Sequence, residues 1–188
     1  MFEIKFRIIE DEALLKEWDA ITFDSEGDLE GFFALKFNNK CYGYYHDNVL
    51  KDGEVGFELI TQWFENLIKV SIMLKNSNYV ALSDIESYNT WIEFKLINKD
   101  NLLISIIEND KKDGFNAIVT TKFKEYSYSE WRNASITLEE FEEEVISKAE
   151  SYINCIININ PKLIESKRII NLRLLIETIN NAKADSVK

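Results

Sequence analysis

Phe2, Ile4, Phe6 and Ile8 alternate with Glu3, Lys5 and Arg7. That period of two predicts a strand with one buried face. Residues 11–18 carry Leu14, Leu15 and Trp18 and predict a short helix. Two apolar runs, 31–37 and 40–46, flank Asn38-Asn39. Asn tolerates the positive φ of a tight turn, so a hairpin is expected. Phe57, Ile60, Phe64, Leu67, Ile68 and Leu74 recur at three- and four-residue steps and predict a helix over 55–75. Strands are expected near 79–83, 91–98, 102–108 and 115–126, with turns at 98–101 and 109–114. Thr137 and Glu140 make a T-x-x-E capping box ahead of Phe141, Val145, Ala149, Tyr152, Ile153 and Ile156, a helix over about 138–157. Asn160-Pro161 ends it and starts another over 162–180.

These elements give an α+β fold: an antiparallel, meander-like sheet packed by a central helix and two C-terminal helices. The strand connections are too short for parallel crossovers. Residues 1–188 are read as one domain, helical over about 137–181, with a frayed tail over 182–188. A chain of 188 residues can bury roughly 70% of its unfolded surface and needs no staples.

Charge changes the picture more than composition does. The net charge is −11, which repels a phosphate backbone and argues against nucleic acid as a partner. It is unevenly placed. Residues 10–30 hold nine acids against Lys16, whereas residues 161–188 hold six basic side chains against three acids. Such asymmetry steers encounters with an oppositely charged protein. No apolar run approaches the ~18 residues of a membrane helix, and no secretory signal is visible at MFEIKFRII. The expected setting is the cytoplasm, with no membrane partner. Cys41 and Cys155 lack CxxC spacing and are read as buried free thiols, with no metal and no cofactor implied.

Candidate chemistry is sparse. His46 is the only histidine and the only side chain with an unperturbed pKa near neutrality. Cys41 lies five residues away on the same hairpin, though a solvated loop histidine is the simpler reading. Asp84 with Glu93-Phe94-Lys95 matches the D…ExK spacing of a metal-dependent nuclease or hydrolase, in which two carboxylates hold the ion. Glu3-Ile4-Lys5 matches it equally, and the solvated face of a strand explains both. The candidate partner-binding residues are acidic: Asp19, Asp24, Glu26, Asp28 and Glu30 in one stretch, Glu139, Glu140, Glu143 and Glu144 in the other. The helix dipole explains part of the second cluster. Tyr42, Tyr44, Tyr45, Tyr126 and Tyr128 are candidates for exposed aromatic anchors.

The blocks GFFALKFNNKCYGYY, FELITQWFENLIKVSIMLKN and YVALSDIESYNTWIEFKLINKDNLLISI, within residues 31–107, resemble small bacterial proteins of the polymorphic-toxin immunity type. The likeness lies in the strand–strand–helix–strand order and the aromatic–glycine placement. It implies binding without catalysis: occlusion of a basic toxin domain. The other readings are an enzyme or small-molecule binder, marked by convergence of Asp84, Glu93, Lys95 and His46, and a homodimer formed through the C-terminal helices.

Overall fold

The computed structural model describes residues 1–9, 12–26, 28–109, 117–129 and 131–186, with side chains as far as Ala182. The fold is α+β. The strands form two antiparallel sheets rather than one. In the first, β1 (Phe2–Ile8) pairs with β2 (Glu30–Phe37), which pairs with β3 (Lys40–Tyr44) and with the two-residue β4 (Glu58–Leu59). In the second, β5 (Tyr79–Ser83), β6 (Thr90–Leu96) and β7 (Asn101–Glu108) form the expected meander. The order across it is β10-β7-β6-β5-β8, with β8 at Ile118–Val119, β10 at Ala134–Thr137, and β9 (Ser127–Tyr128) also on β7.

One apolar core draws on the inner faces of both sheets and on five helices. It includes Phe33, Leu35 and Phe37 of β2, Val80 and Leu82 of β5, and Ile92 and Phe94 of β6. The central helix α3 (Ile60–Leu74) buries ten of its 15 residues. It packs against α4 (Leu138–Ile159) and α5 (Lys167–Ser186). Thr61 and Tyr152 share a buried hydroxyl–hydroxyl bond of 2.6 Å that fixes α3 against α4.

Several boundaries differ from expectation. The acidic stretch holds two helices, α1 (Glu12–Glu17) and α2 (Ala20–Glu26). Helix α3 starts at Ile60 because Asp28, remote in sequence, accepts from the N–H groups of Thr61 and Gln62 and sets the first turn. The strand expected over 115–126 is reduced to Ile118–Val119, with residues 115 and 116 outside the described set. Beyond it the chain docks Phe123 on Trp91 and so packs rings in place of a ladder. The Thr137 hydroxyl accepts from Glu140 N–H at 3.0 Å, as a capping box requires, but the Glu140 carboxylate goes elsewhere. Asn160 caps a 3₁₀ turn at Pro161–Glu165, and its amide donates to the carbonyls of Leu15 and Trp18. Helix α5 continues to Ser186, so most of the tail is helical. Cys41 and Cys155 are free and both exposed, correcting the expectation of burial: one lies on an edge strand, the other on the outer side of α4. Among the described residues no helix is long and apolar enough to cross a membrane.

Candidate functional site

Most of the acidic candidates turn out to have partners inside the fold. Asp19 accepts from Thr22 N–H at 2.8 Å and caps α2. That bond is the main reason its carboxyl sits below the ordinary range. Asp24 accepts from the N–H groups of Lys167 and Arg168 at the start of α5. Asp28 caps α3, and burial pushes its carboxyl up despite those bonds. Glu140 and Glu144 accept from Phe2 and Ile4 N–H at 2.8 Å each and close the outer edge of β1. Burial raises the Glu140 carboxyl, but the chain's N-terminal ammonium and the Phe2 amide outweigh it, so its pKa is lowered. Glu26, Glu30, Glu139 and Glu143 are exposed, as is Asp19 despite its capping bond.

The two groups do not form one surface. Glu30 opens β2, while the Glu140 end of α4 meets β1 at Phe2, which pairs with Phe37 at the other end of β2. An eight-residue strand puts about 23 Å between them.

Among the described residues, Glu30 of the first group stands beside exposed aromatics. Phe33, Leu35 and Phe37 point into the core, so Glu30, Phe32, Ala34 and Lys36 lie on the outer face of the first sheet. Phe32 is covered there by Tyr44 at 5.2 Å, His46 at 4.8 Å and Phe57 at 6.3 Å between ring centroids. Tyr44 and Phe57 are each 47% exposed, and Val49 and Val55 beside them in the chain are more so. Phe57 N–H donates to Gly31 O, next to Glu30.

The loop carrying these rings is braced rather than free. Arg7 Nη1 donates to the carbonyls of His46 and Asn48. His46 Nδ1 accepts from Asn48 N–H, which leaves Nε2 as donor to Glu54 at 2.6 Å. Glu54 also accepts from Lys51 N–H, and these two bonds, Lys51 first, lower its carboxyl pKa. His46 is thus a loop-bracing side chain with both ring nitrogens engaged, and Cys41 is not among its described contacts.

The structure does not assemble the D…ExK constellation. Glu93 pairs across from Ala81 and Ser105 on the outer face of the second sheet and is fully buried. Its carboxylate lies 2.6 Å from Lys95 Nζ as an ion pair without a well-directed hydrogen bond. Lys95 also donates to Tyr128. Burial pulls the Lys95 ammonium down, but Glu93 and Tyr128 outweigh it and the pKa is raised. Asp84 continues the inward alternation of Val80 and Leu82 and accepts from Tyr42 Oη at 2.7 Å in the first sheet. The two carboxylates therefore occupy opposite faces. Among the described residues no three His, Cys, Asp or Glu side chains gather to hold a metal ion. A cleft of about 1010 Å³ opens beside Trp91 and Phe123, its rim reaching Asn109 and Ile118 on either side of residues 110–116.

Sequence reasoning missed Glu58. It is 6% exposed, accepts from Trp63 Nε1 at 2.5 Å, and has Asp84 and Glu86 near it. Burial pushes its carboxyl up to about 7, with Asp84 and Glu86 adding to the rise. Its neighbours come from α3 and from the remote segment 84–86, so no local pattern announces it.

Comparison with family models, curated proteins and solved structures finds no match to this chain.

Proposed function

We propose that this protein is a non-enzymatic binding module that occludes a basic protein partner, in the manner of an immunity protein neutralising a bacterial toxin domain. One observation supports the reading above others. Tyr44 and Phe57, half exposed and set over Phe32, share the outer face of the first sheet with the exposed carboxylate of Glu30. Rigid aromatic rings give contact area at low entropic cost, and hot spots of protein interfaces are enriched in them. Carboxylates at the rim set encounter rate and partner choice more than final affinity. The net charge of −11 favours a basic partner on approach.

The mechanism is steric. The rings anchor in apolar hollows of the partner, Glu30 and Glu26 meet its Lys or Arg side chains, and the braced 45–54 loop covers the surface that the partner needs. The test mixes the purified protein with the product of the adjacent upstream gene. A complex at micromolar concentration and low salt, together with restored growth when both genes are expressed, is the expected result. Absence of a complex under those conditions overturns the proposal.

A further inference from the structure

The chain entering β4 turns two unlike side chains to its two faces. Phe57 is half exposed on the outer face, and Glu58 is buried on the inner one. Glu58 is 6% exposed, and its described hydrogen bond comes from a neutral donor, Trp63 Nε1 at 2.5 Å. Its charged neighbours, Asp84 and Glu86, are both acids. Of the other elements around it, β2 presents Gly31 opposite, α3 presents Trp63, and β3 reaches Asp84 through Tyr42 Oη. A carboxyl group in such a place is held as the acid, and its ionised form is driven toward water. Burial, with the two acids adding, sets that change at about 7.

We propose that Glu58 is a proton-controlled latch: as the acid it holds β4 against β2 and keeps the Phe57 ring set over Phe32, and as the carboxylate it releases both. The surroundings decide which wall yields. Trp63 is buried and stacked on Phe33 at 5.2 Å. Asp84 is held by the Tyr42 hydroxyl, by its own N–H to Thr90 O, and by Glu86 N–H. After β4, Ile60 N–H donates to Leu29 O and Asp28 caps α3. Strand β4 itself has two residues, paired as Glu58 with Gly31 and Leu59 with Glu30. Just before it, Gly56 lies on Gly31 backbone to backbone, since a Cβ on Gly56 would come within 2.4 Å of Gly31 Cα. No side chains interlock at that contact, so residues 56–58 are the least restrained wall and carry the carboxylate outward. The latch is independent of the binding function. Its effect on a partner rests on that reading, because Phe57 is the anchor proposed above. A partner seated on Phe57 favours the latched form and takes up a proton near neutral pH.

Amide hydrogen exchange on the free chain at pH 6 and pH 8, corrected for the intrinsic pH dependence of exchange, tests this beside urea titrations that give global stability at each pH. The reporter is the Phe57 N–H, which donates to Gly31 O. Its protection is expected to fall between the two pH values by at least about tenfold more than the change in global stability accounts for, one pH unit above the titration being a factor of ten. Glu58→Gln is expected to remove that excess. His46 and Glu54 are common to both proteins, so the difference between them isolates Glu58. Phe57 protection that tracks global stability at both pH values overturns the inference, and so does an equal excess in Glu58→Gln. Should Glu58→Gln fail to fold, Asp84→Asn keeps an acceptor for Tyr42 Oη and removes one neighbouring charge. It is expected to reduce the excess, and an unchanged excess overturns the inference. The measurement needs no partner, so its failure leaves the binding reading standing, and a missing complex leaves the latch standing.

Discussion

Glu58 carries the clearest consequence at the scale of one residue. Its folded pKa of about 7 lies above the ordinary 4.5. Below the ordinary value the group is neutral in both folded and unfolded chains, and its contribution to stability is intact. As pH rises through about 7 the folded chain must ionise a buried group beside Asp84 and Glu86, and that contribution is lost. Wild-type stability is therefore expected to fall between about pH 5 and pH 8, by on the order of 2 kcal/mol from this group. Glu58→Gln keeps an acceptor for Trp63 Nε1 and is expected to flatten the dependence, as urea titrations at the two pH values would show. An unchanged slope in the variant would mean that other groups carry it. Asp28 makes a simpler case. It is the N-terminal cap of α3, so Asp28→Ala is expected to cost about 1–2 kcal/mol by chemical denaturation. Asp28→Asn should recover part of that loss through its side-chain oxygen.

At the scale of elements, acidic side chains close what the backbone leaves open. The outer N–H groups of β1 would otherwise lack partners next to α4, and Glu140 and Glu144 supply them. Glu140→Ala with Glu144→Ala is expected to destabilise by about 2–4 kcal/mol, roughly 1–2 kcal/mol per uncapped donor, and to speed exchange of the Phe2 and Ile4 amides. Periodicity made β1, β2, β5, β6, β7 and α4 legible, because each has a buried face with a regular repeat. It failed where the determinant is distant. Asp28 fixes the start of α3 from outside that segment, and α2 hides in an acidic stretch with only Phe23 fully buried. The segment after Val119 reads as a strand, yet its Phe123 and Tyr126 cover the outer face of β6 and β7 by ring contact. The same limit applies to the site. Tyr44 and Glu30 were visible in the sequence as candidates. Its spacing puts Phe57 on the buried stripe of a helix, but the chain there is not yet helical: it enters β4 at Glu58, and the Phe57 ring stays at the surface.

Across the whole molecule, the excess of negative charge divides into a structural part and a free part. Asp19, Asp24, Asp28, Glu140 and Glu144 hold helix ends and a strand edge. Glu30 remains free on the face of the exposed rings and Glu26 is exposed at the end of α2, while Glu139 and Glu143 lie at the far end of the first sheet. Long-range attraction depends on total charge and weakens with salt, so every charge reversal is expected to slow association somewhat. Affinity depends on the anchors. The direct test is the dissociation constant of the complex with the basic partner, measured for wild type, for Phe57→Ala, and for Glu139→Lys with Glu143→Lys. Loss of the Phe57 ring is expected to weaken binding at least tenfold, with the α4 double reversal within about threefold of wild type at physiological salt. Full affinity in Phe57→Ala, with binding abolished by the α4 reversal, would contradict the account.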